Sequence, residues 1–249
     1  MKKISMLMMC LIMMLSGTCL AKNLQSAGFV NGRTFYTDQD AIYGEKGPEG
    51  QELLTAVAIV AGNKLTEVHI YQFDLTNNMS RELYGAGYTK KGSREYESTN
   101  SPELAPNRGW KALEASQSLR TQLLDFCRQH AAAVQHKSGL GTVESIEDGL
   151  KKFSTAISNS FGQNKDNLIT QGVALQQAVD NAQRNAGYEQ DDKVIYEILG
   201  LQGKRVGCIV SGLQGDTSAF GEGNAYYSDC KNKINKLRMS TAGQYATNN

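Results

Sequence analysis

The chain has 249 residues, 26 basic against 25 acidic, and 40% of them are hydrophobic. So close a charge balance leaves no electrostatic footprint for nucleic acid or for an anionic membrane surface. The length allows one large or two small domains with a real buried core, and after the N-terminus no apolar run approaches the roughly 20 residues that span a bilayer.

Residues 1–21 read as a targeting segment. Lys2 and Lys3 form a positive start, Ile4 to Leu15 an apolar run, and Cys19-Leu20-Ala21 a small-residue end. That three-part order predicts a secretory signal peptide cleaved before Lys22. An uncleaved anchor would need a longer run. A lipidated Cys19 would normally follow an apolar residue three places earlier, where Ser16 stands. Cleavage removes Lys2 and Lys3 and no acidic residue, so acid and base stay almost in balance. A secreted or periplasmic protein of bacterial type is the expectation, with no transmembrane segment after cleavage.

Residues 28–36 place Asn31-Gly32 between two apolar runs, the pairing that a type I′ hairpin turn requires. Residues 37–50 are polar and glycine-rich and predict a loop. Strands are predicted at 53–61, continuously apolar and hence buried, and at 65–73, where Val68 and Ile70 alternate with His69, Tyr71 and Phe73. Shorter strands are expected near 81–84 and 94–97. Pro102 and Pro106 make 98–108 the candidate boundary.

From about 107 to 187 the chain predicts three helices. The first, 107–135, presents Leu113, Leu119, Leu123, Phe126, Cys127, His130 and Val134. The second is the clearest, since Val143, Ile146, Leu150, Phe153, Ile157 and Phe161 recur at spacings of 3 or 4. Glu144, Asp148, Lys151 and Lys152 fall off that stripe and are expected to meet water. The third helix starts near Asp166 and ends at Gly187. Beyond it, 194–199 and 205–210 predict a β-hairpin, 212–223 a glycine-rich loop, 228–239 a short basic helix and 240–249 a frayed tail. The fold class expected is α+β, a single domain over 22–239, with a three-helix central block (about 107–187) packed on an antiparallel β-sheet formed from N- and C-terminal segments.

Three cysteines follow the signal segment: Cys127, Cys208 and Cys230. In an oxidising compartment the simplest pairing is a Cys208–Cys230 disulfide, although three pairings exist. Such a bridge would close the glycine-rich loop and present Phe220, Tyr226 and Tyr227 as a binding surface for a protein partner. Tyrosine suits strands by itself, and it also suits recognition surfaces.

Local chemistry is sparse. Cys127 and His130 share a helix face but lie within the apolar stripe, so core packing is the reading there. There is no HxxxH, HExxH, CxxC or GxSxG, and no metal or cofactor is expected. Asp38-Gln39-Asp40 fails the calcium-loop pattern at Ile42. Lys231, Lys233, Lys236 and Arg238 read as a solvated helix face. The function expected is therefore binding, as a secreted host-directed factor or a periplasmic accessory of an envelope or secretion assembly. The alternative is a secreted hydrolase assembled from dispersed residues such as His69, Asp74 and Ser211, for which a deep pocket with a perturbed carboxylate would speak.

Overall fold

The computed structural model describes residues 22–98, 109–113, 118–160, 164–187 and 190–246. The signal segment, and the boundary at 98–108 apart from its first residue, lie outside the described residues. Eight strands come first: β1 (Leu24–Val30), β2 (Arg33–Asp38), β3 (Tyr43–Lys46), β4 (Glu52–Ala61), β5 (Leu65–Asp74), β6 (Met79–Thr89), β7 (Arg94–Ser98) and β8 (Lys111–Ala112). Among the described residues five α-helices follow: α1 (Leu119–Gln129), α2 (Leu140–Ser160), α3 (Lys165–Arg184), α4 (Gln190–Gln214) and α5 (Ala219–Gly243). The α+β class is as expected.

The sheet is antiparallel in the order β1-β2-β4-β5-β6-β7, with β3 beside β4 and β8 beside β6. Asn31 and Gly32 both adopt positive φ, at 50° and 78°. The first hairpin therefore turns as its sequence predicts. β4 is buried along its whole interior because both sheet faces are covered. Leu54, Ala56, Ala58 and Val60 pack with Phe35, Ile42 and the α1 residues Leu123, Leu124, Phe126 and Cys127. Val57 and Ile59 point the other way, into a cluster with Val68, Ile70, Tyr84 and the C-terminal Ala242, Tyr245 and Ala246. A third cluster lies among α2, α3, α4 and α5, and the predicted stripe Val143, Ile146, Leu150 and Phe153 is buried in it.

Several expectations need correction. The sheet contains no C-terminal strand among the described residues. The segment predicted as a hairpin over 194–210 belongs to α4, one helix of 25 residues. Ile195, Ile198, Val206, Ile209 and Leu213 are buried together and recur at helical spacing, so packing against α3 and α5 overrides the β preference of Val and Ile. The glycine-rich loop is the short turn between α4 and α5. Gly212 ends in α4 because the ring of Phe220 lies across it, and a Cβ there would sit 2.5 Å from that ring. α5 starts at Ala219, not near 228, and the expected frayed tail folds back as far as it is described: Tyr245 and Ala246 are buried, and the Tyr245 hydroxyl donates to Asp38 at 3.0 Å. The predicted first helix is shorter than 107–135. It begins after Ser118, whose Oγ accepts from the Thr121 N–H at 3.3 Å, and it ends at His130. The predicted loop 37–50 contains β3.

The head of α2 also differs from its reading as a water-facing surface. Glu144 is completely buried and held by Arg238 of α5, with Nε–Oε1 at 2.5 Å and Nη2–Oε2 at 2.8 Å. Glu147 pairs with Arg205 of α4 at 2.7 Å. Asp148 pairs with Arg81 of β6, whose guanidinium also lies 4.5 Å from the Trp110 ring centre. Three acids within one short stretch thus join α2 to α5, to α4 and to the sheet.

Candidate functional site

A cleft of about 770 Å³ lies between the β3–β4 hairpin, the end of α1, the connection 134–138 and the outer side of α3. Its position follows from local pairing. The 134–138 connection runs beside β3, with Gly44 N–H donating to Gln135 O at 2.9 Å and Gln135 N–H to Ile42 O at 2.8 Å. The same connection is tied to the helices: Ser138 Oγ donates to Ala182 O at 2.7 Å, and Lys137 Nζ meets Asp192 Oδ1 at 3.0 Å. The sheet edge and α3 are thereby held apart, with Leu53, Leu54, Leu75, Val134, Cys127 and Ala178 among the residues lining the gap.

Glu45 of β3 also lines this cleft. It lies at the N-terminal end of α2, where Thr55 Oγ1 donates to its Oε2 at 3.3 Å. A Cβ on Gly141 would come within 2.0 Å of Thr55 Oγ1 and 2.4 Å of Glu45 Oε2. The first turn of α2 approaches this closely only because residue 141 is glycine. Burial raises the Glu45 carboxyl to about 7, and hydrogen bonding from Thr142, Thr55 and the Gly139 main chain recovers only part of the loss, as expected when desolvation outweighs donors. Its Oε1 has no hydrogen-bond partner of good geometry. Gln72 completes the polar seam, donating to Gly141 O at 2.8 Å and Ser145 Oγ at 3.1 Å.

The cleft holds none of the residues proposed from sequence for binding. Cys208 and Cys230 are free thiols, which corrects the predicted disulfide. Cys208 faces Gly223 across the α4–α5 seam, where a Cβ would lie 3.4 Å from its own. Cys230 lies two turns further along α5, roughly 10 Å at 1.5 Å per residue, beyond the roughly 7 Å limit of a disulfide. Phe220 packs against the helical core. Tyr226 and Tyr227 are on α5, under Lys204 and Arg205 at 5.6 and 4.4 Å from their ring centres. Tyr84 and Tyr88 are buried strand residues.

The dispersed hydrolase set does not assemble either. His69 Nδ1 is 2.6 Å from Glu82 Oε1 and its Nε2 is 3.6 Å from Glu67. Asp74 lies five residues along the same strand, about 16 Å away at 3.3 Å per residue, and accepts from Asn77 N–H at 2.9 Å. Ser211 is in the last turn of α4. Cys127 is fully buried with its thiol pushed up to about 12 by burial, and His130 stacks on Phe126 at 4.0 Å instead of pairing with it. Asp38 accepts from the Asn23 and Asp40 N–H groups, both at 3.2 Å, besides the Tyr245 hydroxyl, so this acidic turn anchors the C-terminus. Arg238 leaves the supposed basic face for Glu144, and Lys233 pairs with Glu197 at 2.9 Å.

Sequence reasoning missed Glu45, because 37–50 reads as a loop. It also missed the paired acids of α2, although Glu147 lies four residues after Val143 and so within the apolar stripe. Among the described residues no group of three or more His, Cys, Asp or Glu side chains could hold a metal ion, and no helix is long and apolar enough to cross a membrane. Compared with known proteins, the chain matches no family model, no curated protein and no solved structure.

Proposed function

We propose that this is an exported protein that acts by binding, and that the cleft between β3 and α3 is where it binds. The observation that carries this reading is the cleft itself. Its volume is about 770 Å³. That falls within the roughly 300–1,000 Å³ of small-molecule sites, and the cleft sets apolar residues such as Leu53, Leu54, Leu75 and Val134 beside polar ones such as His136, Thr142 and Asn181. Export rests on the sequence of residues 1–21. Phe220, the expected anchor of a protein-binding loop, is committed to covering Gly212, so a small molecule fits better than the protein partner first expected.

Native mass spectrometry of protein recovered from its own cells tests both parts. The expected result is a chain starting at or near Lys22 that carries a non-covalent small molecule. Ala178→Trp, which puts an indole into the cleft, should lose that molecule while remaining folded. A bound molecule retained in full by the folded Ala178→Trp protein would overturn the cleft, and a chain retaining Met1 would overturn export.

A carboxyl at the same site supports a second reading, a hydrolase using Glu45. A group raised to about 7 is suited to proton transfer near neutrality, and His136 lines the same cleft. Turnover of ester or glycoside substrates that Glu45→Gln abolishes, with folding intact, would favour it.

A further inference from the structure

We propose that the ligand of this cleft is a short peptide bound in extended form, lying between the outer edge of β3 and a row of side-chain amides on α3. The proposal rests on the cleft being the binding site. It adds the ligand's chemical class, which follows from the hydrogen-bonding groups on the two walls.

On the α3 wall, Gln177, Asn181 and Asn185 line the cleft and are exposed. They stand four residues apart, so they form one row along the helix at about 6 Å per step. The side-chain amides of Gln177 and Asn185 make no hydrogen bond among the described residues, while Asn181 Oδ1 accepts from Arg184. In an extended peptide the N–H and C=O of every second residue point to the same side, about 6.6 Å apart. A carboxamide both donates and accepts, so each can meet one such pair. The row covers about 12 Å, the length of roughly four extended residues.

On the other wall, pairing within the hairpin fixes which groups face outward. Gly44 N–H turns away from β4 to Gln135 O, and Gly47 N–H donates across the hairpin to Gln51 O, both at 2.9 Å. Main-chain groups alternate in direction along an antiparallel strand, so those of Lys46 point away from β4, as those of Gly44 do. Gln135 occupies this edge as a parallel neighbour of Tyr43. The connection then leaves at Ser138, which is tied to Ala182 O. Among the described residues no main-chain hydrogen bond reaches Lys46 on that side. An extended peptide carries donors and acceptors along both edges. One edge can continue the sheet beside Lys46 while the other meets the amide row, as an enclosed main chain requires.

The other polar groups of the lining are already used. Glu45 is enclosed at the head of α2 by Thr142, Thr55 and Gly139. Thr142 Oγ1 accepts from Gly139 N–H at 3.2 Å. Lys46, Lys137 and Arg128 have Glu52, Asp192 and Asp125 beside them, so the rim is balanced in charge and suits an uncharged main chain. Leu53, Leu54, Leu75 and Val134 remain for the peptide side chains that point inward. The described lining holds no Phe, Tyr or Trp on which a flat ring would stack.

The probes are two blocked tetrapeptides, acetyl-Ala-Val-Ala-Val-amide and acetyl-Val-Ala-Val-Ala-amide, which offer valine in either phase, and the same peptides N-methylated at alternate residues. Calorimetry should find at least one unmethylated peptide bound, and N-methylation should weaken it by at least about ten-fold. Gln177→Ala combined with Asn185→Ala should weaken it as much. Lys46→Pro, which removes the outward N–H at a position an edge strand tolerates, should do the same, while Lys46→Ala leaves binding unchanged. Should Lys46→Pro fold poorly, the α3 double variant carries the test.

N-methylated peptides that bind as tightly, or full binding by the folded α3 double variant, would overturn recognition of the main chain. Failure of both peptides to bind would overturn the peptide class. In each case the cleft would stand as a binding site if Ala178→Trp still releases the molecule carried from the cell. If Ala178→Trp released neither that molecule nor the peptides, the cleft reading and this inference would fall together.

Discussion

Arg238 and Glu144 form a bidentate ion pair inside the protein, 94 residues apart in sequence and both at most 6% exposed at the side chain. The pair fixes the second half of α5 against the second turn of α2. A buried pair of this kind costs desolvation on both sides, so its net worth is modest, but removing one partner strands the other charge. Glu144→Ala should therefore destabilise by about 3–5 kcal/mol, far more than the loss of at most about 1 kcal/mol that a first-turn acid at a helix end would cause. Replacing both residues together, as Glu144→Leu with Arg238→Met, should recover most of that loss. Urea denaturation of the two single variants and the double variant measures it, and equal losses from all three would refute the argument.

Glu45 makes stability depend on pH. Its carboxyl titrates at about 7 in the folded chain against an ordinary 4.5. Between those values the folded state keeps a proton that the unfolded state has released. The contribution is complete below about pH 4.5 and is lost as pH rises through about 7, a change of roughly 3 kcal/mol. Glu45→Gln keeps the shape and removes the titration. It should be more stable than the unmodified protein at pH 8, and the difference should vanish near pH 4. Parallel thermal melts across that range provide the comparison.

Redox state should leave the fold unaffected. Cys127 and Cys230 are fully buried and Cys208 is partly exposed. Thermal stability should be the same with and without reductant. A thiol reagent should label Cys208 first in the native protein, with the other two reacting only on unfolding. Peptide mapping that finds a Cys208–Cys230 bridge would contradict the placement of these residues on α4 and α5.

Gly141→Ala should be among the most damaging single-methyl changes in the chain. The new Cβ would lie 2.0 Å from Thr55 Oγ1 and 2.7 Å from Gln72 Nε2. Both groups are buried and hydrogen-bonded, so neither can give way without losing a partner. A loss of about 3 kcal/mol is expected, at the upper end for overpacking, read as a lowered denaturation midpoint. Gly221→Ala, on an exposed part of α5 with nothing within 4 Å of the new Cβ, is the control and should be neutral or slightly stabilising.

Tyr245 tests whether the C-terminus belongs to the fold. Its hydroxyl donates to a buried Asp38 oxygen at 3.0 Å. Tyr245→Phe should cost about 1–3 kcal/mol by leaving that oxygen short of a donor. A stability change within about 0.5 kcal/mol, typical of an exposed substitution, would show the residue to be frayed after all.

The sequence alone determined the elements whose periodicity and turn chemistry agree. The Asn31-Gly32 hairpin, the continuous apolar run of β4, the alternation in β5 and the 3–4 spacing through Val143, Ile146, Leu150 and Phe153 all carry a local physical rule, and the structure follows each. Where local rules conflict, only tertiary packing decides. Residues 194–210 contain β-branched residues and glycines that read as a hairpin, but the same apolar residues also fit a helix, and burial against α3 and α5 selects the helix. The site was the least legible part. Glu45 comes from a short strand in a glycine-rich stretch, and its partners Thr55, Gly139 and Thr142 are distant in sequence. A carboxyl's protonation depends on what surrounds it in three dimensions, so its chemistry appears only once the sheet edge, the 134–138 connection and α2 have met.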